Sequence, residues 1–132
     1  MIRILDSHAL MIFFEREPGH DKVEQIFQNA IEKDDVILMT SVNYSEICYL
    51  ILNACGPEKL NEIENIIQTL PIEIQFVDLQ LSREAAKIRF NKKLSFVNSF
   101  TAALAKIKRA EIITGDKEFN LIEGEVKISW IA

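Results

Sequence analysis

The residue pattern predicts an α/β fold, a single domain with a central, mostly parallel sheet flanked by helices. Three observations carry this. Short apolar runs alternate with helical patterns along the whole chain, as in repeated strand–helix units. The chain has 132 residues, the size of one ordinary domain. Hydrophobic residues make up 48%, enough for a core without disulfides or structural metal.

Taken in order, Ile2 to Leu5 is a short apolar run, expected of a central strand covered on both faces. Ser7 to Glu15 reads as a short helix that stops before Pro18-Gly19. Val23, Ile26, Phe27, Ala30 and Ile31 recur at helical spacing and predict an amphipathic helix. Val36 to Met39 is the next strand. Val42 to Ala54 is apolar nearly all round and predicts a buried helix, stopped by Gly56-Pro57. Leu60, Ile63, Ile66, Ile67 and Leu70 give a further helix from Glu58 to Leu70 one apolar face. Ile72 to Val77 alternates with Glu73 and Gln75, as in a strand near a sheet edge. Leu81 to Lys92 and Phe96 to Arg109 are helices. In the second, Phe96, Val97, Phe100, Ala103, Leu104 and Ile107 form the expected buried stripe, with Asn98 off it. Glu111 to Thr114 and Val126 to Trp130 are strands, joined through a turn or single helical turn at Asp116 to Asn120.

Composition narrows the function classes. No apolar run reaches the ~20 residues of a membrane span. The apolar start is interrupted by Arg3, Asp6 and His8 and lacks a small-residue cleavage site, so it is expected to be a strand and helix rather than a signal peptide. A cytoplasmic location follows as the expectation. Cys48 and Cys55 lie about 10 Å apart along one predicted helix, too far for a disulfide, and are expected to be packing residues. Net charge is −5, unlike a general nucleic-acid coat. Yet between Gln80 and Ala110 there are eight basic residues, including Arg83, Lys87, Arg89, Lys92 and Lys93, against one acid, Glu84. Such polarisation suits a basic face on an acidic body, and equally two solvated helices with cations near their C-termini.

The acids carry the chemistry. Asp6 and Asp116 each follow a predicted strand, which places both at the edge where open parallel sheets bind ligands. Glu46 lies in an apolar helix, where a charge is costly to bury unless paired or metal-bound. Asn98 occupies a fourth matching position at a helix start. Brought together, Asp6, Glu46, Asn98 and Asp116 would form an oxygen-rich pocket for a hard divalent cation. Each has a plainer reading: Asp6 as a helix cap, Glu46 on a partly exposed face, Asp116 as a turn residue, Asn98 satisfying first-turn N–H groups.

Four segments resemble one family in order and spacing: Leu5-Asp6-Ser7-His8-Ala9-Leu10, Thr40-Ser41-Val42-Asn43-Tyr44-Ser45-Glu46-Ile47, the run from Leu94 to Ala105, and Thr114-Gly115-Asp116-Lys117-Glu118-Phe119. The chain resembles PIN-domain ribonucleases, most closely the toxin arm of VapBC-type toxin–antitoxin pairs. The resemblance spans residues 1–132 as one PIN-like domain. It implies an acidic pocket for Mg²⁺ or Mn²⁺, endonucleolytic cleavage of RNA, an antitoxin partner whose tail fills the acidic groove, and a homodimer. By position, Asp6, Glu46 and Asp116 carry over as metal-site acids. The third acid of the family falls on Asn98, where this chain departs. Ser7 and Thr114 match hydroxyls that support the pocket, and His8 stands where a small residue is usual. The Glu58 to Leu70 helix is a candidate partner surface and equally ordinary core. Lys87, Arg89, Lys92 and Lys93 would then neutralise RNA phosphates.

The amide at position 98 keeps an oxygen donor and removes a full charge. A charge pair at 4 Å is worth roughly 4 kcal/mol at an effective dielectric of ~20, so the substitution is expected to weaken the cation site. It reads as an engineered silencing of a nuclease, a natural departure with reduced activity, or the mark of a homologue that only binds RNA or protein. A phosphoacceptor or phosphatase domain of similar architecture is the remaining alternative. Such sites pair acids after the first strand, whereas Ser7 and His8 follow Asp6 here.

Overall fold

The computed structural model describes residues 1–132. Five strands form one parallel sheet in the order β3-β2-β1-β4-β5. They are β1 (Arg3–Leu5), β2 (Ile37–Thr40), β3 (Ile72–Gln75), β4 (Glu111–Thr114) and β5 (Ile128–Trp130). Six α-helices cover the sheet: α1 (Ser7–Glu15), α2 (His20–Glu32), α3 (Ser41–Cys55), α4 (Pro57–Ile67), α5 (Leu79–Lys92) and α6 (Phe96–Lys108). A 3-10 segment, Lys117–Ile122, follows β4. No helix is long and apolar enough to cross a membrane.

Side chains alternate across the pleat and split the core into two layers. Ile4, Leu38 and Ile112 pack with α5, α6 and Phe119. Leu5, Ile37, Met39 and Ile113 pack with α1 to α4. The chain winds outward from β1 through β2 to β3, then crosses to build β4 and β5 on the other side of β1. Strand order therefore reverses between β1 and β4, whose residues pair Ile4 with Ile112 and Leu5 with Ile113. Asp6 and Thr114 come next on the two strands, at the carboxyl end where ligands bind such sheets.

Several expectations shift. β2 begins at Ile37 and leaves Val36 exposed; β3 ends at Gln75, and Phe76 is exposed. β5 begins only at Ile128, because Val126 closes the preceding turn by donating to the Ile122 carbonyl. Helix α4 starts at Pro57 and ends at Ile67, three residues short of Leu70. It buries Ile63 and Ile67 against the core that α3 shares, while Ile66 faces out. In α2, Ile31 is exposed, outside the narrower stripe of Val23, Phe27 and Ala30.

Helix α3 is not buried all round. Only the line Asn43, Ile47 and Ile51 is sealed, and Tyr49 and Leu52 are exposed. The helix touches the core on one side only, so its apolar composition exceeds what the sheet can cover. Cys55 is exposed at its end and Cys48 half-buried, so only the latter packs. Helix α6 also departs from its expected stripe. Phe96 and Ile107 are exposed, whereas Asn98, Thr101, Ala102 and Ala105 are buried together with Phe100 and Leu104. Small and polar side chains fill this face because α6 lies close against α3, α5 and the sheet.

Candidate metal and RNA site

Asp6 caps α1: its carboxylate accepts the Ala9 N–H at 2.8 Å. It is also sealed from solvent. Its other oxygen accepts from the Thr114 hydroxyl, and that hydroxyl oxygen accepts the Asp116 N–H at 2.9 Å. Burial pushes the Asp6 carboxyl up to about 7, and the neighbouring negative charge of Asp116 adds to the effect. The hydrogen bonds from Thr114 and Ala9 pull the other way and are outweighed.

Asp116 begins the 3-10 segment. Its Oδ1 accepts the Glu118 N–H at 3.0 Å and its Oδ2 accepts from Asn98 Nδ2 at 3.0 Å. The same Asn98 nitrogen donates to Glu118 Oε1 at 2.9 Å. Ser95 caps α6 and also passes its own N–H to Glu118 Oε1 at 2.9 Å. Asn98 is thus not merely satisfying first-turn N–H groups; its side chain braces two carboxylates.

Glu46, Asn98 and Asp116 line one cavity of about 430 Å³, together with Ser7, His8, Leu50, Ser95, Phe96 and Val97. Three of the four expected residues therefore meet there. Asp6 does not reach the cavity wall and lies sealed behind Thr114. No Lys or Arg lines the cavity, and Glu46 takes part in none of the ion pairs of the chain. His8 sits at the rim with its imidazole against Gly115, where an added Cβ would fall 3.0 Å from the ring. A larger residue at position 115 would require the exposed His8 ring to shift by a few tenths of an ångström.

The donors fit a hard divalent cation by chemistry: carboxylate and amide oxygens, no sulfur, and no protein cation to neutralise them. The acids are not gathered around one point, since no three His, Cys, Asp or Glu side chains stand in metal-holding proximity.

Behind the cavity lies a buried polar network that the residue pattern did not single out. Asn43 Oδ1 accepts from Thr40 Oγ1 and, at 2.8 Å, from Thr101 Oγ1; Asn43 Nδ2 donates to Ser7 Oγ at 2.8 Å. Ser7 Oγ donates in turn to the Asn43 carbonyl at 3.3 Å. These bonds tie together α1, which Asp6 caps, and α3 and α6, which carry Glu46 and Asn98. Asn43 stands four residues before Ile47 and eight before Ile51, so its place on the buried line was a usable signal. Glu118 is the other residue missed, and nothing in its local sequence distinguishes it from a solvated turn acid.

The expected RNA contacts lie outside the cavity. Arg89 lines a separate groove between α5 and α6 with Phe90, Phe96 and Phe100, its guanidinium 5.5 Å from the Phe96 ring. Phe96 belongs to both recesses. Lys93 is exposed at the end of α5. Lys87 pairs with Glu84 at 3.5 Å, and Lys92 with Glu125 at 2.9 Å.

The model of the PIN domain family matches residues 3–125. Among solved structures, a chain of the DNA-bound VapBC complex from Salmonella typhimurium is similar over 100% of this chain and 99% of its own, with a TM-score of 0.78 and 15% identity. VapBC2 from Rickettsia felis, bound to a promoter DNA fragment, gives 0.76 at 17% identity over 98% of both chains. VapC20 from Mycobacterium tuberculosis, described as a sarcin-ricin loop cleaving toxin, gives 0.67 at 14% identity, covering 89% of this chain and 92% of its own. No curated protein matches by sequence.

Proposed function

The chain belongs to the PIN domain family, and on that premise we propose that it is a divalent-metal-dependent endoribonuclease, the toxin of a type II toxin–antitoxin pair. The observation that carries the reading is the cavity at the strand-order reversal, where Glu46 and Asp116 face one space with no cationic side chain beside them. Glu46, Asp116 and Asn98 Oδ1, which line the cavity, would hold Mg²⁺ or Mn²⁺, with the sealed Asp6 carboxylate behind them, joined through Thr114. Such a cation supplies charge for the scissile phosphate and a water of lowered pKa.

The protein groups divide the remaining work. Asp116 is committed to hydrogen bonds from Glu118 and Asn98, whereas Glu46 is unpaired. Glu46 is therefore the carboxylate free to orient the attacking water and take its proton. Thr114 and Ser7 are supports: Thr114 fixes Asp6 against the Asp116 backbone, and Ser7 anchors α1 to α3. Arg89 and Lys93 are the cations best placed to meet RNA phosphates, since Lys87 and Lys92 already have acidic partners. Single-stranded or looped RNA suits a site that must reach the backbone in line.

An antitoxin partner is supported by the VapBC complexes among the structural neighbours. A homodimer belongs to the same reading; Phe76, Leu79 and Phe90 are exposed and available to an interface. A cytoplasmic setting accords with an RNA substrate. One observation favours a second reading, a PIN-like module that binds RNA or protein without turnover: Asn98 brings no charge to the pocket and donates a hydrogen bond to Asp116.

Cleavage of RNA in Mg²⁺ or Mn²⁺, by the chain and by its Asn98→Asp variant, separates the two. The nuclease reading expects cutting by the chain or its variant that EDTA stops. Binding of RNA with no cutting by either protein would leave the module.

A further inference from the structure

The hydrogen bonds of Asn98 fix which end of its amide faces the cavity. Nδ2 lies 3.0 Å from Asp116 Oδ2 and 2.9 Å from Glu118 Oε1. Ionised carboxylates only accept, so both contacts require the nitrogen end, and both of its N–H groups are used. Oδ1 accepts no hydrogen bond, yet no buried side-chain polar atom in the protein lacks a partner. Oδ1 is therefore open to the cavity that Asn98 shares with Glu46 and Asp116. Glu118 is itself held in place, because its Oε1 takes the Ser95 N–H at 2.9 Å and its own N–H goes to Asp116 at 3.0 Å.

A carboxylate at position 98 would lose both donations. It would stand against Asp116 and Glu118 at these same separations of 3.0 and 2.9 Å, where like charges repel strongly. The surroundings of position 98 suit an amide.

We propose that Glu118 is a positioning residue that selects the orientation of the Asn98 amide, so that Asn98 presents an oxygen to the cation rather than a hydrogen-bond donor. This rests on the metal-dependent reading above and extends it. Asn98 and Glu118 form a matched pair, and the amide is a working part of this pocket rather than a lesion in it. Glu118 itself touches neither cation nor RNA; it acts through Asn98.

The test is Mn²⁺ calorimetry on the full chain and on Glu118→Leu, Glu118→Gln, Asn98→Asp and the Asn98→Asp/Glu118→Gln pair. Side-chain amide spectra of the metal-free proteins accompany it. Glu118→Leu is expected to lower Mn²⁺ affinity about tenfold, the lower range for an outer partner of a metal ligand. Glu118→Gln keeps an oxygen for Asn98 and Ser95 and is expected to bind as the parent does. The double variant is expected to bind more tightly than the two single effects predict together, because the amide introduced by Glu118→Gln can donate to the new carboxylate. In the metal-free spectra, the Asn98 amide protons should exchange slowly in the parent and rapidly in Glu118→Leu. Parent-like affinity in a folded Glu118→Leu, or strict additivity in the double variant, would overturn the proposal. If neither the parent nor Asn98→Asp takes up Mn²⁺, the metal reading fails instead. The amide exchange then decides the positioning role alone: unchanged exchange in Glu118→Leu sinks it.

Discussion

Thr114 and Asp6, 108 residues apart in the chain, are joined by a hydrogen bond from the Thr114 hydroxyl to the Asp6 carboxylate. The same hydroxyl receives the Asp116 N–H at 2.9 Å, so one small side chain couples the two strand-end acids. Thr114→Val keeps the shape and removes both bonds. The expected cost is about 1–3 kcal/mol, the penalty for leaving buried polar groups unsatisfied, read by denaturant unfolding. An unchanged midpoint would mean that Asp6 is held by its Ala9 contact alone.

Asp6 also makes stability depend on pH. Its folded value, about 7, lies above its ordinary 3.8, so folding favours the neutral acid. The stabilisation is fully present below pH ~4 and is lost as pH rises through about 7. Metal-free protein should therefore unfold more easily at pH 8 than at pH 5, by roughly 2–3 kcal/mol from this group, about two pH units at ~1.4 kcal/mol each. Asp6→Asn should flatten that slope, and Mn²⁺ should offset the loss at high pH. Thermal melts in EDTA across this range, with parallel slopes for the two proteins, would refute the assignment.

Glu46 is half-buried and without a charged partner, so its removal should be silent structurally and loud chemically. Glu46→Gln is expected to leave stability within about 0.5 kcal/mol of the parent. It should reduce metal-dependent RNA cleavage roughly 100-fold or more. Matched unfolding curves and single-turnover cleavage rates check both halves.

Asn43 serves three helices at once, and no other side chain can replace its pattern of donors and acceptors. Asn43→Ala strands Thr40, Thr101 and Ser7 and should cost about 2–3 kcal/mol. Double-mutant cycles with Thr101→Val should reveal coupling between the two sites. Additive losses would argue that the network is three separate contacts.

Arg89 and Lys93 should contribute to RNA binding through phosphate charge. Replacing both with Ala is expected to weaken binding and to lower the salt slope by roughly 1.4, taking ~0.7 per neutralised phosphate on a single strand. The same change at Lys87 and Lys92 should have less effect, since acids already hold them. Fluorescence anisotropy over a salt series distinguishes the two pairs.

The sheet was legible because its strands are short apolar runs with clear breaks, and the edge position of β3 showed in the alternation of Glu73 and Gln75. Asp6 and Asp116 were legible for the same reason: each stands just past such a run, Asp6 directly and Asp116 after Gly115. What could not be read was burial of polar residues. Apolar spacing assigned Phe96 and Ile107 of α6 to the core, because periodicity ranks side chains by hydrophobicity. Close helix packing ranks them by size and by hydrogen-bond supply. Thr101 and Asn43 are sealed because they satisfy one another, a condition that depends on residues 58 positions apart. Glu118 was invisible for a similar reason, since its two acceptor contacts come from the start of another helix.

The pocket draws on the start of α1, on α3, on the start of α6 and on the loop after β4, so no contiguous fragment carries it. A polypeptide still emerging from the ribosome holds Asp6 and Glu46 early, yet has no complement to them until Asp116 is translated and β4 docks beside β1. Products that stop short of that point would hold Glu46 without Asp116 facing it and so would lack this cavity.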